Sequence, residues 1–250
     1  NNETGTIFPV AELAELAKEV GALFHTDAVQ AVGKVPIDLK STVIDMLSLS
    51  GHKLHGPKGI GALYVRRGTR FRSLIKGGHQ ERGRRAGTEN TPGIVGLGKA
   101  AELAALHMAD EETRVAALRD RLEKGLLQRV PNSFVTGNPA ERLPNTSNIA
   151  FEYVEGEGIL LLMNREGIAA SSGSACTSGS LEPSHVLRAM NIPYTAAHGA
   201  IRFSFSRDNT DADVDRVLEV MPGIIEKLRA LSPFWQGANE APATFNPVYA

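Results

Sequence analysis

The chain has 250 residues, of which 42% are hydrophobic and 22% charged, with a net charge of -1. That composition is close to the soluble globular average and excludes a disordered chain, while the near-neutral charge excludes a global field for nucleic acid or acidic membrane. The single cysteine, Cys176, excludes an intramolecular disulfide framework.

The elements alternate along the first hundred residues. Pro9 to Val20 carries Leu13, Leu16, Ala17 and Val20 at a helical period, with Pro9 suited to a first turn and Gly21 to a C-terminal cap. The short run Ala22 to Phe24 ends in His25-Thr26-Asp27, and Met46 to Ser50 ends in Gly51-His52-Lys53. Ile60 to Val65 is β-like. Short apolar strands with polar C-terminal ends predict an α/β sheet with ligands beyond those ends. Gly93 to Val130 predicts one long helical stretch, broken near Ala109-Asp110. Asn148 to Val154 and Ile201 to Ser206 predict strands, and Gly158 to Asn164 a helix. A last helix starts at Thr210 and runs to about Leu231. The pattern divides the chain into residues 1–108, a smaller α+β domain at 109–232, and a tail at 233–250 that is expected to be poorly ordered. No run of about 18 apolar residues is present, so no membrane helix is expected. The opening Asn-Asn-Glu-Thr-Gly has neither Met nor the runs of a targeting peptide, and is expected to follow further sequence of a cytoplasmic protein.

Five segments carry chemistry. Ser50 to Gly59 is the densest polar cluster and directly follows a strand. Ser, His and backbone N–H groups at such a turn hold phosphate, and a lysine there can form a Schiff base with an aldehyde. No Gly-Lys-Ser/Thr follows, so a P-loop fails, and a basic surface loop is the alternative. Asp27, in His25-Thr26-Asp27-Ala28-Val29-Gln30, ends an otherwise apolar strand, where a buried carboxylate needs a partner. The pyridinium nitrogen of pyridoxal 5'-phosphate is such a partner, whereas a helix-capping role is the ordinary alternative. Ser171 to Ser180 surrounds Cys176 with small residues, unlike the bulky surroundings of a structural cysteine, which favours a reactive thiol. No second Cys and no His spacing suits zinc, so no metal site is expected. Arg202 lies in an apolar strand, where a substrate carboxylate or a structural salt bridge would satisfy it. Gly77 to Asn90 is Gly- and Arg-rich without interleaved aromatics, which disfavours nucleic acid and suits an anion or a subunit interface.

Together these segments resemble the cysteine desulfurase family, within the class V aminotransferases, over Asn1 to about Leu231. The motifs Asn-Asn-Glu-Thr-Gly, Asp27-Ala-Val-Gln30, Ser50-Gly-His52-Lys53, Arg82-Gly-Arg-Arg-Ala-Gly-Thr88 and Ser171 to Ser178 occur in the family's order. The wording from Gly77 to Thr88 is most similar to the nitrogen-fixation branch. The resemblance implies a fold-type I pyridoxal-phosphate-dependent transferase, with part of the large α/β domain followed by a smaller C-terminal α+β domain. It implies a homodimer that takes sulfur from L-cysteine as an enzyme persulfide, leaves L-alanine, and supplies an iron–sulfur scaffold or other acceptor, for nitrogenase in particular. Lys53 would carry the cofactor and shuttle protons. Asp27 would bond the pyridinium nitrogen, Asn2 and Gln30 would touch the ring hydroxyl side, and Ser50 and His52 would hold the phosphate. Thr88 would reach the phosphate of the partner subunit, Arg202 would clamp the substrate carboxylate, and Cys176 would attack the substrate sulfur. A selenocysteine lyase or another class V aminotransferase shares the Lys and Asp motifs, and a truncated, non-catalytic scaffold is the alternative outside enzymes. Family chains also carry a leading segment, about a third of their length, that is not in this sequence. On that ground the 250 residues alone are expected to bind cofactor poorly and to desulfurate little.

Overall fold

A computed structural model describes residues 1–172 and 183–235. Contacts divide the chain into two compact units, Phe8–Ala109 on one side and Asn1–Ile7 with the residues from Asp110 onward on the other. The division by composition at 108/109 did not anticipate that the first seven residues belong with the C-terminal half.

In the Phe8–Ala109 unit, helix α1 (Val10–Glu19) follows the apolar period read from the sequence. It ends in a Schellman arrangement: Ala22 N–H donates to the Ala17 carbonyl and Gly21 N–H to that of Lys18. Gly21 sits at φ +70°, a conformation that a side chain resists. Strands β1 (His25–Asp27), β2 (Met46–Ser50) and β3 (Gly61–Val65) form a sheet in that order. β1 pairs parallel to β2, with Asp27 opposite Ser48, and β3 pairs antiparallel. A single 3-10 turn, Gly51–Leu54, follows β2 directly. A short helical segment, α2 (Gln80–Gly83), precedes the long α3 (Thr91–Asp110).

The predicted break near Ala109-Asp110 is a π-helical turn, Glu111–Val115, after which α4 (Ala116–Arg129) continues. The remaining sheet is antiparallel, in the order β4 (Ser133–Val135), β5 (Thr146–Phe151), β6 (Ala200–Ser204). Between β5 and β6 run α5 (Gly156–Arg165), α6 (His185–Ala189) and α7 (Tyr194–Ala197), and α8 (Asp211–Leu231) closes the unit. Leu118, Leu122 and Leu126 of α4 and Val214, Val217, Leu218, Met221 and Ile225 of α8 recur every three or four residues, so each helix has one apolar face. Those faces pack with Ile149, Phe151, Ile201 and Phe203 of the sheet into one core. The entry to α8 is fixed by Thr210, whose N–H and hydroxyl both donate to the Asp213 carboxylate.

The first seven residues join this unit through backbone bonds. Leu143 N–H donates to the Gly5 carbonyl at 2.8 Å, and Ile7 N–H to that of Glu141 at 2.8 Å. β4, α6 and α7 have no counterpart in the sequence reading, because three to five residues are too few to display a period. Among the described residues no helix is long and apolar enough to cross a membrane.

Candidate active site

The Phe8–Ala109 unit gathers most of the predicted cofactor residues at one end of its sheet. Because β1 and β2 are parallel, Asp27 and Ser50 both lie at carboxyl ends, where strand-end side chains and turn N–H groups face open space. The register also puts His25, Asp27, Ser48 and Ser50 on one face. Ser50 Oγ and His52 Nδ1 lie 2.7 Å apart, a hydroxyl–imidazole pair at the start of the turn. Lys53 follows on the same turn, partly exposed. The turn is tight: His55 adopts φ +62°, and a Cβ on Gly56 would stand 2.9 Å from the Gly51 carbonyl oxygen. Only glycine allows that approach, so the local sequence places Lys53 by backbone geometry.

Asp27 differs from its sequence expectation in one respect. It is exposed rather than buried. Its Oδ1 accepts the Val29 N–H at 2.9 Å, an Asx turn that aims the carboxylate. Gln30 follows, half-buried. Sequence reasoning missed the bond between His25 Nε2 and Ser48 Oγ, 2.7 Å long, which adds a second polar pair to the same face. The signal was available, since His25 precedes Asp27 by two residues and therefore shares its face.

Thr88 is exposed and lines a cavity of about 930 Å³ together with Arg82, Arg84, Leu63 and Ile94. The loop that presents it is braced by Arg85 Nη1, which donates to the Gly87 carbonyl at 2.7 Å, and by Gln80 Oε1, which accepts the Gly87 N–H.

Asn2 and Arg202 belong to the other unit. Arg202 Nη1 donates to the Asn2 carbonyl at 2.6 Å, and its backbone bridges to Ser171. Nε of Arg202 is buried and has no hydrogen-bond partner among the described residues. Burial lowers the proton affinity of the guanidinium, and the charge of Glu3 acts against that. A half-buried guanidinium whose Nε–H is unpaired among the described residues is a ready donor to an anionic group. Cys176 lies outside the described residues.

An amine, a carboxylate and a hydroxyl–imidazole pair beyond the carboxyl ends of parallel strands match the donor set that pyridoxal phosphate needs for its carbonyl, ring nitrogen and phosphate. This α/β fold is that of the fold-type I transferases which use that cofactor. The model of the family described as aminotransferase class-V matches residues 1–217, and the chain belongs to that family. It is 76% identical over 250 residues to a cysteine desulfurase of Gluconacetobacter diazotrophicus, covering 100% of this chain and 62% of that protein. It is 66% identical over 252 aligned positions to the cysteine desulfurase NifS of Azotobacter vinelandii, covering 100% of this chain and 63% of that protein. A solved NifS-like protein superposes with a TM-score of 0.82 at 37% identity, over 91% of this chain and 60% of its own. A second, from Rickettsia africae, gives 0.82 at 32% identity, over 90% and 60%. The chain thus spans somewhat less than two thirds of the length of the curated relatives it matches.

Proposed function

We propose that the protein is a pyridoxal-phosphate-dependent cysteine desulfurase, which removes sulfur from L-cysteine and leaves L-alanine. The observation that carries this reading is the juxtaposition of Lys53, Asp27 and the Ser50–His52 pair beyond the ends of two parallel strands. The high identity to proteins named as cysteine desulfurases supports the choice of reaction within the family.

When bound, the cofactor supplies an electron sink for charge developing at the substrate carbons. Lys53 would hold the cofactor through Nζ and would move the proton at the substrate α-carbon. The Asp27 carboxylate would pair with the ring nitrogen and keep it protonated. Asn2 and Gln30 would hold the ring hydroxyl side, Ser50 and His52 the phosphate, and Thr88 the phosphate of a partner subunit in a homodimer. Arg202 receives the substrate carboxylate through its planar fork of donors. Cys176, as thiolate, forms a bond to the substrate sulfur. The carbon–sulfur bond breaks with its electron pair going to carbon, which takes up a proton to give the methyl group of L-alanine, and the sulfur remains as a persulfide on Cys176. The persulfide is then passed to an iron–sulfur scaffold or another acceptor, in nitrogen fixation, within the cytoplasm. Within residues 1–108, the stretch from Phe8 onward supplies most of the cofactor-binding residues, and 109–232 acts as the part bearing Cys176 and Arg202.

Sulfide release from L-cysteine by the intact, cofactor-loaded protein tests the reading. Lys53→Ala is expected to lower turnover by roughly a thousandfold. Cys176→Ala is expected to abolish sulfide release while the visible absorbance of bound cofactor persists. Amino transfer without sulfide, or sulfide release at an unchanged rate in Cys176→Ala, would overturn it.

A further inference from the structure

Glu3 stands in the same turn as Asn2 and is almost fully buried, with 3% of its surface exposed. A carboxylate so placed requires partners. Its side chain accepts the Ser184 hydroxyl at 2.5 Å, and Ser184 Oγ in turn accepts the Val186 N–H at the head of α6. Its carbonyl accepts Asn148 Nδ2 at 3.1 Å. Asn148 is the cross-strand partner of Arg202, and Arg202 reaches back to the Asn2 carbonyl. Two separate connections, one through β5 and one through the turn, therefore tie Glu3 to Arg202. The charge of Glu3 favours the protonated Arg202 guanidinium, against the larger opposing effect of burial. None of the roles assigned above uses Glu3.

We propose that Glu3 is a specificity-determining residue: its buried carboxylate belongs to the turn that Arg202 joins through the Asn2 carbonyl, so that the guanidinium receives an amino acid with one carboxylate and disfavours one that carries a second. The inference rests on the reading of Arg202 as the clamp for the substrate carboxylate. The physical basis is the balance of charge. Arg202 and Glu3 together carry no net charge, and a monoanionic group brings the cluster to a single negative charge. A dianion adds a further negative charge, in surroundings where burial weakens screening. L-cysteine has an uncharged side chain when it binds and passes this filter. Amino acids with acidic side chains do not.

L-asparagine and L-aspartate provide the comparison, because they are nearly equal in size and differ in one charge. Their affinities are measured calorimetrically on the intact, cofactor-loaded protein, with L-alanine as the reference ligand. The wild-type protein is expected to bind asparagine about tenfold more tightly than aspartate. Glu3→Gln keeps an acceptor for the Ser184 hydroxyl and removes the charge. It is expected to bring the two affinities to within about twofold, chiefly through tighter aspartate binding. Ser184→Ala leaves the charge in place, and its preference is expected to stay that of wild type. A purely structural role for Glu3 would weaken all three ligands together and leave the ratio unmoved, which overturns the proposal. If Glu3→Gln does not fold, equal binding of asparagine and aspartate by the wild-type protein overturns it as well. Arg202→Ala separates the two levels. Undiminished alanine binding in that variant removes the underlying reading of Arg202. Lost alanine binding, with a ratio insensitive to Glu3→Gln, removes only the role of Glu3.

Discussion

The two compact units differ in how they are filled. The unit from Asp110 onward encloses large side chains almost completely, among them Phe151, Leu126, Met163, Ile201 and Met221. In Phe8–Ala109 the buried apolar residues are Ile44, Leu47, Leu54 and four alanines. That unit leaves Leu16, Val20, Leu74, Ile75 and Val95 exposed, with Leu74 at 93%. Apolar area removed from water is the main source of folding free energy, so truncations among the enclosed side chains of the unit from Asp110 onward are expected to cost more than truncations at these exposed apolar positions. The lysine-bearing turn sits in the thinly filled unit, where its placement rests on glycine-dependent backbone geometry more than on packing.

Core truncations break or sharpen this contrast most directly. Phe151→Ala is expected to cost about 3–5 kcal/mol, from lost burial and the cavity left behind. Leu74→Ala, in the other unit, is expected to stay within about 0.5 kcal/mol. Urea unfolding followed by the fluorescence of Trp235 reads the first change locally, since the indole lies 4.5 Å from the Arg229 guanidinium and near Tyr153. Equal losses for the two variants would erase the distinction between the units.

A smaller effect comes from Glu123, which is half-buried on α4. Burial pushes its carboxyl upward in pKa, but hydrogen bonds from Arg142 and Ser147 outweigh that, and the net shift is downward. A carboxyl lowered in the folded state stabilises the fold above its unfolded pKa, and the contribution is lost as pH falls through the folded value. Glu123→Gln is therefore expected to cost about 1–3 kcal/mol at pH 7. The gap to wild type should close as pH drops below the ordinary carboxylate value of about 4.3. A gap that stays constant through acid would show that packing, not charge, is what Glu123 provides. The smallest of the three effects is at the head of α8, where Thr210→Ala is expected to cost about 1 kcal/mol by thermal unfolding.

Elements long enough to repeat a pattern were legible in the sequence. α8 runs to Leu231 as its apolar spacing indicates, and β2 occupies Met46–Ser50, the run that ended in Gly-His-Lys. Asp27 and Lys53 stand out in the sequence for the same reason, as polar residues that follow short apolar runs. The exposure of Asp27 was not legible, because a polar residue after an apolar run shows nothing of what covers it. The Glu3–Ser184 bond was also hidden, since it joins residues 181 positions apart and neither has a local motif that demands the other. The break near Ala109-Asp110 was legible, but its form as a π turn at Glu111–Val115 was not, because its residues are ordinary helix formers and only the register of the backbone bonds distinguishes it.

Asn1–Ile7 is bonded through its backbone to Glu141 and Leu143, and the Asn148 amide donates to Glu3. A cut in an exposed loop of Phe8–Ala109 would therefore leave this segment held to the strands around residues 141–148 by hydrogen bonds alone, with no need of the covalent connection.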